Sequence, residues 1–316
     1  MSAPIPADCV IRSATIGDFE AVLELISAEN MLDYGEPMVS AEYLRNIWQS
    51  PNLNLATDTW VVIKPDGQVV GYGELSSSPP SDFDVAIYAT QAYKGIFPHL
   101  LNLAEKRAAA STTQAANTSI WSRVSARNQV GNHSFEKANY HLQLSFILME
   151  IVMTEPPVEG LLIDGITIRS FIVGQDEQAT YTADEEASTD KGYHQPLSFE
   201  GWSTRMGMNT DTFDPTLWFL AYANDEIAGV ALNAYSEATH TGWVDHLGVR
   251  RQYRNRGIGT ALLRHSFGEF YRRGVNLVKL SVDSQSLTQA PRLYERAGMQ
   301  TINQYHIYRK NLAPTS

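Results

Sequence analysis

Three unlike positions recur along this chain at an almost constant spacing. Arg12 and Arg169 lie 157 residues apart, Trp60 and Trp218 lie 158 apart, and Phe135 and Tyr294 lie 159 apart. A steady offset across segments of different character constrains the chain to two like halves rather than one large domain. The length of 316 residues agrees with a prior of two domains. Residues 155–164 form the best linker, since Pro156-Pro157 and Gly160 fall there and no helical period runs through them. The halves are then residues 1–154 and 165–316.

Hydrophobic periodicity fills in both halves. In the first, Val10 to Arg12 reads as a strand, and Asp18 stands where it can cap a helix carrying Phe19, Val22, Leu23 and Ile26. Ala41 to Trp48 and Phe97 to Ala110 read as helices. Trp60 to Ile63 and Val69 to Leu75 read as strands about a Pro65-Asp66-Gly67 turn. Val85 to Tyr88 and Ile120 to Val124 are further strands, Phe135-Glu136-Lys137 opens a short helix, and Leu142 to Met153 is apolar and strand-like. In the second half, Ile166 to Arg169, Leu217 to Ala223, Ile227 to Tyr235, Trp243 to Val249, Val275 to Val282 and Tyr305 to Tyr308 follow as strands, with a helix from Ile258 to Tyr271.

The stretch Arg254-Asn255-Arg256-Gly257-Ile258-Gly259 sits between a strand and that helix. Glycines let the chain turn tightly and approach an anion without a Cβ in the way. A helix N-terminus adds unpaired N–H groups and the positive end of its dipole. Arg250, Arg251, Arg254 and Arg256 crowd this turn in a chain of net charge -11, which argues for a local anionic ligand. The Walker pattern fails because Thr260-Ala261 follows Gly259. The dinucleotide pattern fails because Leu262 stands where its third glycine belongs.

What remains, R-x-x-G-x-G, resembles the acetyl-CoA pyrophosphate loop of the GNAT N-acetyltransferase superfamily. Leu293-Tyr294-Glu295-Arg296-Ala297-Gly298-Met299 is similar to that family's late LYERxGF segment, one strand further on. With the repeat, the resemblance extends to the tandem enzymes of the superfamily, of which mycothiol synthase is one. It implies an α/β (α+β) fold of two GNAT-like domains, each a twisted mixed sheet flanked by helices. The second domain would bind acetyl-CoA and be catalytic.

The first half keeps the pattern without the groups. Gln91-Ala92-Tyr93-Lys94-Gly95-Ile96-Phe97 replaces the arginine-glycine loop, with Pro98 following, and a bulky Phe97 should obstruct backbone approach to a pyrophosphate. Phe135, which has no proton to give, stands opposite Tyr294, and Asn139 opposite Gly298. The first half therefore reads as a degenerate domain supporting its partner.

By the resemblance, the backbone of Arg254, Asn255, Arg256, Gly257, Ile258, Gly259 and Thr260 binds the pyrophosphate, with the two arginine side chains adding charge-assisted contacts. Leu247, Gly248 and Val249 would pair with the pantetheine arm as an added strand does. Ser286 falls where relatives commonly carry an asparagine that bonds the cofactor arm, and a serine has less reach. Tyr294 occupies the general-acid position. A neutral amine would attack the thioester directly, with no covalent enzyme intermediate. Alternation along the strand places Trp243, Asp245, Leu247 and Val249 on one face and Val244, His246 and Gly248 on the other. Asp245 is the candidate general base and His246 its rival, a choice that a β-bulge would invert.

The acceptor pocket is expected between Tyr181 and Trp202, where Asp184, Glu185, Glu186, Asp190, Tyr193, His194 and Phe199 mix carboxylates with aromatics. Such a pocket suits a primary amine on a small molecule. The rivals are a mycothiol-synthase-like acceptor, antibiotic modification, and a non-catalytic CoA-ester sensor. An excess of 35 acidic over 24 basic residues disfavours nucleic acid and anionic membranes as partners. Cys9 alone excludes an internal disulfide framework. Paired Glu or His ligand spacings are absent, so no metal is expected. No apolar run approaches a membrane span and no export signal is visible, so the expected setting is cytoplasmic. The assembly expected is a monomer or a homodimer.

Overall fold

The structure is a computed structural model and describes residues 9–77, 82–111, 118–158, 163–191, 194–285 and 290–312. In chain order the elements are β1 (Val10–Arg12), α1 (Phe19–Tyr34), α2 (Ala41–Trp48), α3 (Leu55–Asp58), β2 (Thr59–Ile63), β3 (Val69–Ser77), β4 (Asp82–Ala89), α4 (Phe97–Ala110), β5 (Thr118–Ser125), α5 (Gln129–Lys137) and β6 (His141–Val152). They continue with β7 (Ile166–Ser170), α6 (Glu177–Ser188), α7 (Phe199–Arg205), β8 (Trp218–Ala223), β9 (Glu226–Ser236), β10 (Thr241–Val249), α8 (Ile258–Arg272), β11 (Leu277–Asp283), α9 (Ala290–Arg296) and β12 (Gln300–Leu312).

Two compact units result, both mixed α/β. One comprises Met1–Ser145 and Asn303–Ser316, the other Phe146–Ile302. The division at residues 154 and 165 read from the sequence follows the chain; the compact units do not. The last strand serves the first unit, because β12 pairs antiparallel with β5 from Tyr305↔Ser125 to Leu312↔Thr118. The distal part of β6 serves the second, pairing with β11 from Phe146↔Asp283 to Val152↔Leu277.

The first unit's sheet runs β1-β2-β3-β4-β5-β12, antiparallel except between β4 and β5. Successive residues of a strand face opposite sides. Accordingly Val61 and Tyr72 pack with Val22, Ile26, Leu44 and Trp48 of α1 and α2, while Val62 packs with Phe97, Leu100 and Leu101 of α4. Phe135 lies in the last turns of α5, not at its start as expected. It is fully buried, edge-on to Phe97 at 5.6 Å and stacked on Tyr308 at 5.5 Å. The helix begins earlier because Asn128 caps it, its Oδ1 accepting from the Gly131 N–H at 3.0 Å.

The second unit repeats the plan. Its sheet runs β6-β11-β10-β9-β8-β7, and β10 with β11 is its parallel pair. Trp218, Leu220, Val230 and Leu232 pack with Ala183 of α6 and Trp202 of α7. Phe219, Ala221 and Ala231 pack with Ile258 and Leu262 of α8.

The repeat is most exact at one ion pair. Asp18 was expected to cap α1. It sits at the cap position, but its carboxylate instead takes both Arg12 guanidinium N–H groups at 2.7 Å and the Thr15 N–H at 2.8 Å. Asp176 does the same with Arg169 at 2.6 and 2.9 Å and with the Ile172 N–H at 2.8 Å. In each case the arginine also donates to the next residue's carbonyl, Ser13 or Ser170, at 2.9 Å. Each clamp fixes the turn from an end strand of its sheet, β1 or β7, into the helix region that follows it. The Arg12 bonds pull the Asp18 carboxyl down to about 2 against its burial. A depressed carboxylate stabilises the fold above its unfolded pKa of about 4 and loses that effect as pH falls through the folded value. Asp18→Asn is therefore expected to cost about 2 kcal/mol near neutrality. In denaturant titrations across pH, the gap to the wild type should close on approaching pH 2.

Candidate active site

In the second unit, β10 and β11 run side by side only from Thr241–Trp243 to Leu277–Lys279. Beyond that they part, while β10 stays paired with β9 as far as Val249↔Gly229. The backbone of residues 244–249 thus has a free edge on the β11 side. β10 then leads into the arginine-glycine turn and α8.

The start of α8 is open. Its N-cap is Gly257, at φ +82°, a conformation that favours glycine. No side chain caps the helix and its first turn holds no acidic residue. The first helical bond is Ala261 N–H to Gly257 O at 3.0 Å, so the amides of Ile258, Gly259 and Thr260 have no acceptor within the helix. Serines cap α2 and α7 by contrast, Ser40 and Ser198 accepting backbone N–H groups. Gly259 is buried, and a Cβ there would sit 3.2 Å from Leu293 Cδ1, so this glycine lets α9 approach α8. Asn255 also adopts positive φ, +60°.

The four arginines do not share one role. Arg250 Nε donates to Glu186 at 2.5 Å. Arg251 and Arg254 both pair with Asp190. Arg254 also donates to Val249 O at 2.9 Å and Ala187 O at 3.3 Å. Hydrogen bonds from Arg251 and then Arg254 lower the Asp190 pKa. These three arginines therefore fasten the turn to the end of α6. Arg256 is exposed and makes no ion pair among the described residues.

A bulge interrupts β10 against β9, since Val244 pairs with Asn233 and His246 with the next residue, Leu232. Asp245 is the extra residue. The simple alternation read from the sequence is corrected accordingly. Val244 packs with Leu263, Phe267 and Phe270 of α8, and Leu247 and Val249 join Ile258 and Leu262 of the same helix. His246 and Gly248 turn to α6, so Val244 no longer shares their face. A Cβ on Gly248 would lie 2.8 Å from Ala187 Cβ, which makes the glycine a packing requirement.

His246 Nδ1 lies 3.0 Å from the Asp184 carboxylate, which also accepts from Trp202 Nε1 at 2.9 Å. Burial would raise the Asp184 pKa, but the His246 and Trp202 contacts outweigh it and hold it below the ordinary value. The carboxylate is ionised and only accepts, so Nδ1 carries a proton toward it. Asp245 differs. Its side chain is exposed, yet the dense protein around it lifts its carboxyl to about 6, with His246 opposing the rise.

Tyr294 is on α9, 8% exposed, in the core cluster with Met149, Leu280 and Val282. Ser286 and Tyr193 lie outside the described residues. The rest of the expected acceptor pocket is largely engaged. Glu185 lies 3.1 Å from His194 Nε2, Tyr181 packs edge-on against Phe199 and Trp202, which stack on each other, and Glu186 and Asp190 hold arginines. Sequence reading missed this bracing, although four arginines and the carboxylates of α6 were complementary in charge. Among the described residues no group of His, Cys, Asp and Glu is placed to hold a metal, and no helix is long and apolar enough to cross a membrane.

The profile of the acetyltransferase (GNAT) family matches residues 178–299, which span this whole arrangement from α6 to α9. A solved GCN5-related N-acetyltransferase from Sphaerobacter thermophilus is 32% identical and superposes with a TM-score of 0.82, covering 99% of this chain and 100% of that one. The mycothiol acetyltransferase of Streptomyces scabiei is 30% identical over 153 residues, 48% of this chain and about half (49%) of that protein. That of Streptomyces avermitilis is 24% identical over 307 residues, 93% of this chain and 92% of that one. The chain belongs to the GCN5-related N-acetyltransferase (GNAT) family. It is an acyltransferase of the tandem type, with mycothiol acetyltransferases among its relatives.

The bracing by Asp190 is directly testable. Asp190→Ala should free Arg251 and Arg254 and speed amide hydrogen exchange across residues 251–260, with little change in the global melting temperature. Unchanged exchange would show that the turn holds its shape without these pairs.

Proposed function

We propose that the second unit transfers an acetyl group from acetyl-CoA to a primary amine of a small molecule by direct attack. The observation that carries this reading is the uncapped first turn of α8, set beside the free edge of β10. Pyrophosphate oxygens would accept from the amides of Gly257 to Thr260, with Arg256 as the available guanidinium. Arg254 acts by shaping the turn. The pantetheine arm would run along Leu247, Gly248 and Val249 as an added strand, which presents the thioester to an amine arriving near Asp245.

The amine nitrogen attacks the thioester carbonyl, the oxyanion collapses, and the C–S bond breaks. The bulge turns His246 toward Asp184 of α6 and leaves the Asp245 side chain exposed, so in this reading Asp245 still receives the amine proton, and Tyr294 supplies one to the departing thiolate. An exposed carboxyl with a pKa of about 6 is mostly ionised at neutral pH and close enough to it to exchange protons readily. Similarity over 93% of the chain to a mycothiol acetyltransferase favours a mycothiol-synthase-like acceptor. The first unit contributes no group to this transfer.

Gly257→Asp places a carboxylate where the pyrophosphate would lie, and is expected to abolish acetyl-CoA binding in calorimetry. Undiminished binding would move the donor site elsewhere. Tyr294→Phe should lower kcat by about 10²-fold or more with acetyl-CoA affinity retained. The measurement is thiol release across a panel of amines, and equal turnover would remove the tyrosine from the chemistry.

As general base, Asp245 makes kcat/KM rise with pH through an apparent pKa near 6, as its carboxyl ionises. Asp245→Asn should flatten that limb and lower the plateau by about 10²- to 10⁴-fold. A limb that survives in Asp245→Asn and vanishes in His246→Gln would transfer the role to the histidine.

A further inference from the structure

In the first unit β4 and β5 also part early, pairing only from Asp82–Asp84 to Ser119–Trp121. The described residues do not fill the gap beyond them. α1 closes one side of a cavity of about 60 Å³, lined among others by Glu29, Asn30, Asp33, Tyr88, Arg123 and Asn128.

Two features of this lining point to a ligand. Asn30 is 4% exposed, and its Nδ2 donor has no partner among the described residues. A buried amide donor left unpaired costs about 1–3 kcal/mol unless something occupies it. The carboxylates, in turn, lack sufficient compensation. Glu29 is 5% exposed and has Lys94 Nζ only at 3.6 Å. Asp33 accepts from Asn128 Nδ2 at 3.1 Å. Burial prevails over these contacts at both residues and raises both pKa values. The same face of β4 brings Asp84, where burial and then Glu74 lift the carboxyl to about 7. The opposing cation, Arg123, is exposed and lies over the Tyr305 ring at 5.0 Å. Tyr88 and Tyr34 are held neutral by burial and offer ring faces and hydroxyls.

We propose that this cavity binds the ammonium end of a small amino alcohol, its nitrogen between Glu29 and Asp33 and its oxygen accepting from Asn30 Nδ2. A cation entering here offsets the buried charge of Glu29 and the half-buried charge of Asp33, and a hydroxyl oxygen two carbons further on satisfies the amide. Tyrosine rings add cation–π attraction. The first unit, which lacks the open helix start of the second, is on this account a recognition domain in its own right. The inference does not depend on which group the second unit transfers.

Saturation-transfer NMR on the full chain tests it, with ethanolamine as the probe and propylamine and ethylene glycol as controls. Ethanolamine should show transfer exceeding both controls. Glu29→Gln should weaken its binding by about fivefold or more. Asn30→Leu should reduce ethanolamine to the level of propylamine. Should Glu29→Gln fold poorly by circular dichroism, Asp33→Asn carries the same expectation. The proposal is overturned by absence of transfer, by equal transfer to the two amines in the wild type, or by binding unchanged in a folded carboxylate variant. It is also overturned if Asp245→Asn alone removes the signal, since that would place the amine in the second unit.

Discussion

The first turn of α8 carries N–H groups that neither the helix nor a side chain satisfies. A serine or aspartate at the cap would remedy this and stabilise the helix by about 1 kcal/mol. Gly257 is there instead, with positive φ and no side chain. Everything nearby keeps that opening in place. The Asp190 pairs hold the preceding turn, the Arg254 bond to Val249 O ties it to the strand end, and Gly259 lets α9 close in behind. Rigidity at the margins with unsatisfied donors at the centre is the arrangement that favours an anion.

The first unit shows what happens when the same plan loses that feature. Its α4 starts from Ile96 in a helical conformation, with Phe97 driven into the core and Pro98 in the first turn. Proline removes an N–H that an anion would need, and the buried ring occupies the approach. What survives is the gap between the parallel strands, with a polar lining supplied by α1. Loss of one ligand class at a helix start thus need not close the cavity beside it.

Much of this was legible in the chain. The strand, turn and helix around Gly257 are local in sequence, and their caps and periods follow residue by residue. The recurrence of Arg12 at Arg169 proved to be a whole clamp, its arginine, carboxylate and turn amide repeated with Asp18 and Asp176. The bulge at Asp245 was not legible, because an unpaired residue is defined by the neighbouring strand rather than by its own side chain. The bracing by Glu186 and Asp190 links positions more than sixty residues apart, and periodicity is blind to such pairs. The carboxylates of α6 looked like an open acceptor pocket for that reason.

The exchange of edge strands bears on how the polypeptide is made. Ribosomes deliver the N-terminal end first, yet β5 gains its antiparallel neighbour only when residues 305–312 have emerged. Until then a strand rich in backbone donors and acceptors waits with one side bare, a state prone to mispairing. Closing so long a loop adds only modestly to the entropic cost, so the penalty falls on timing rather than on final stability. Neither unit is a cassette that could be lifted out at the linker, and the chain matures as a whole.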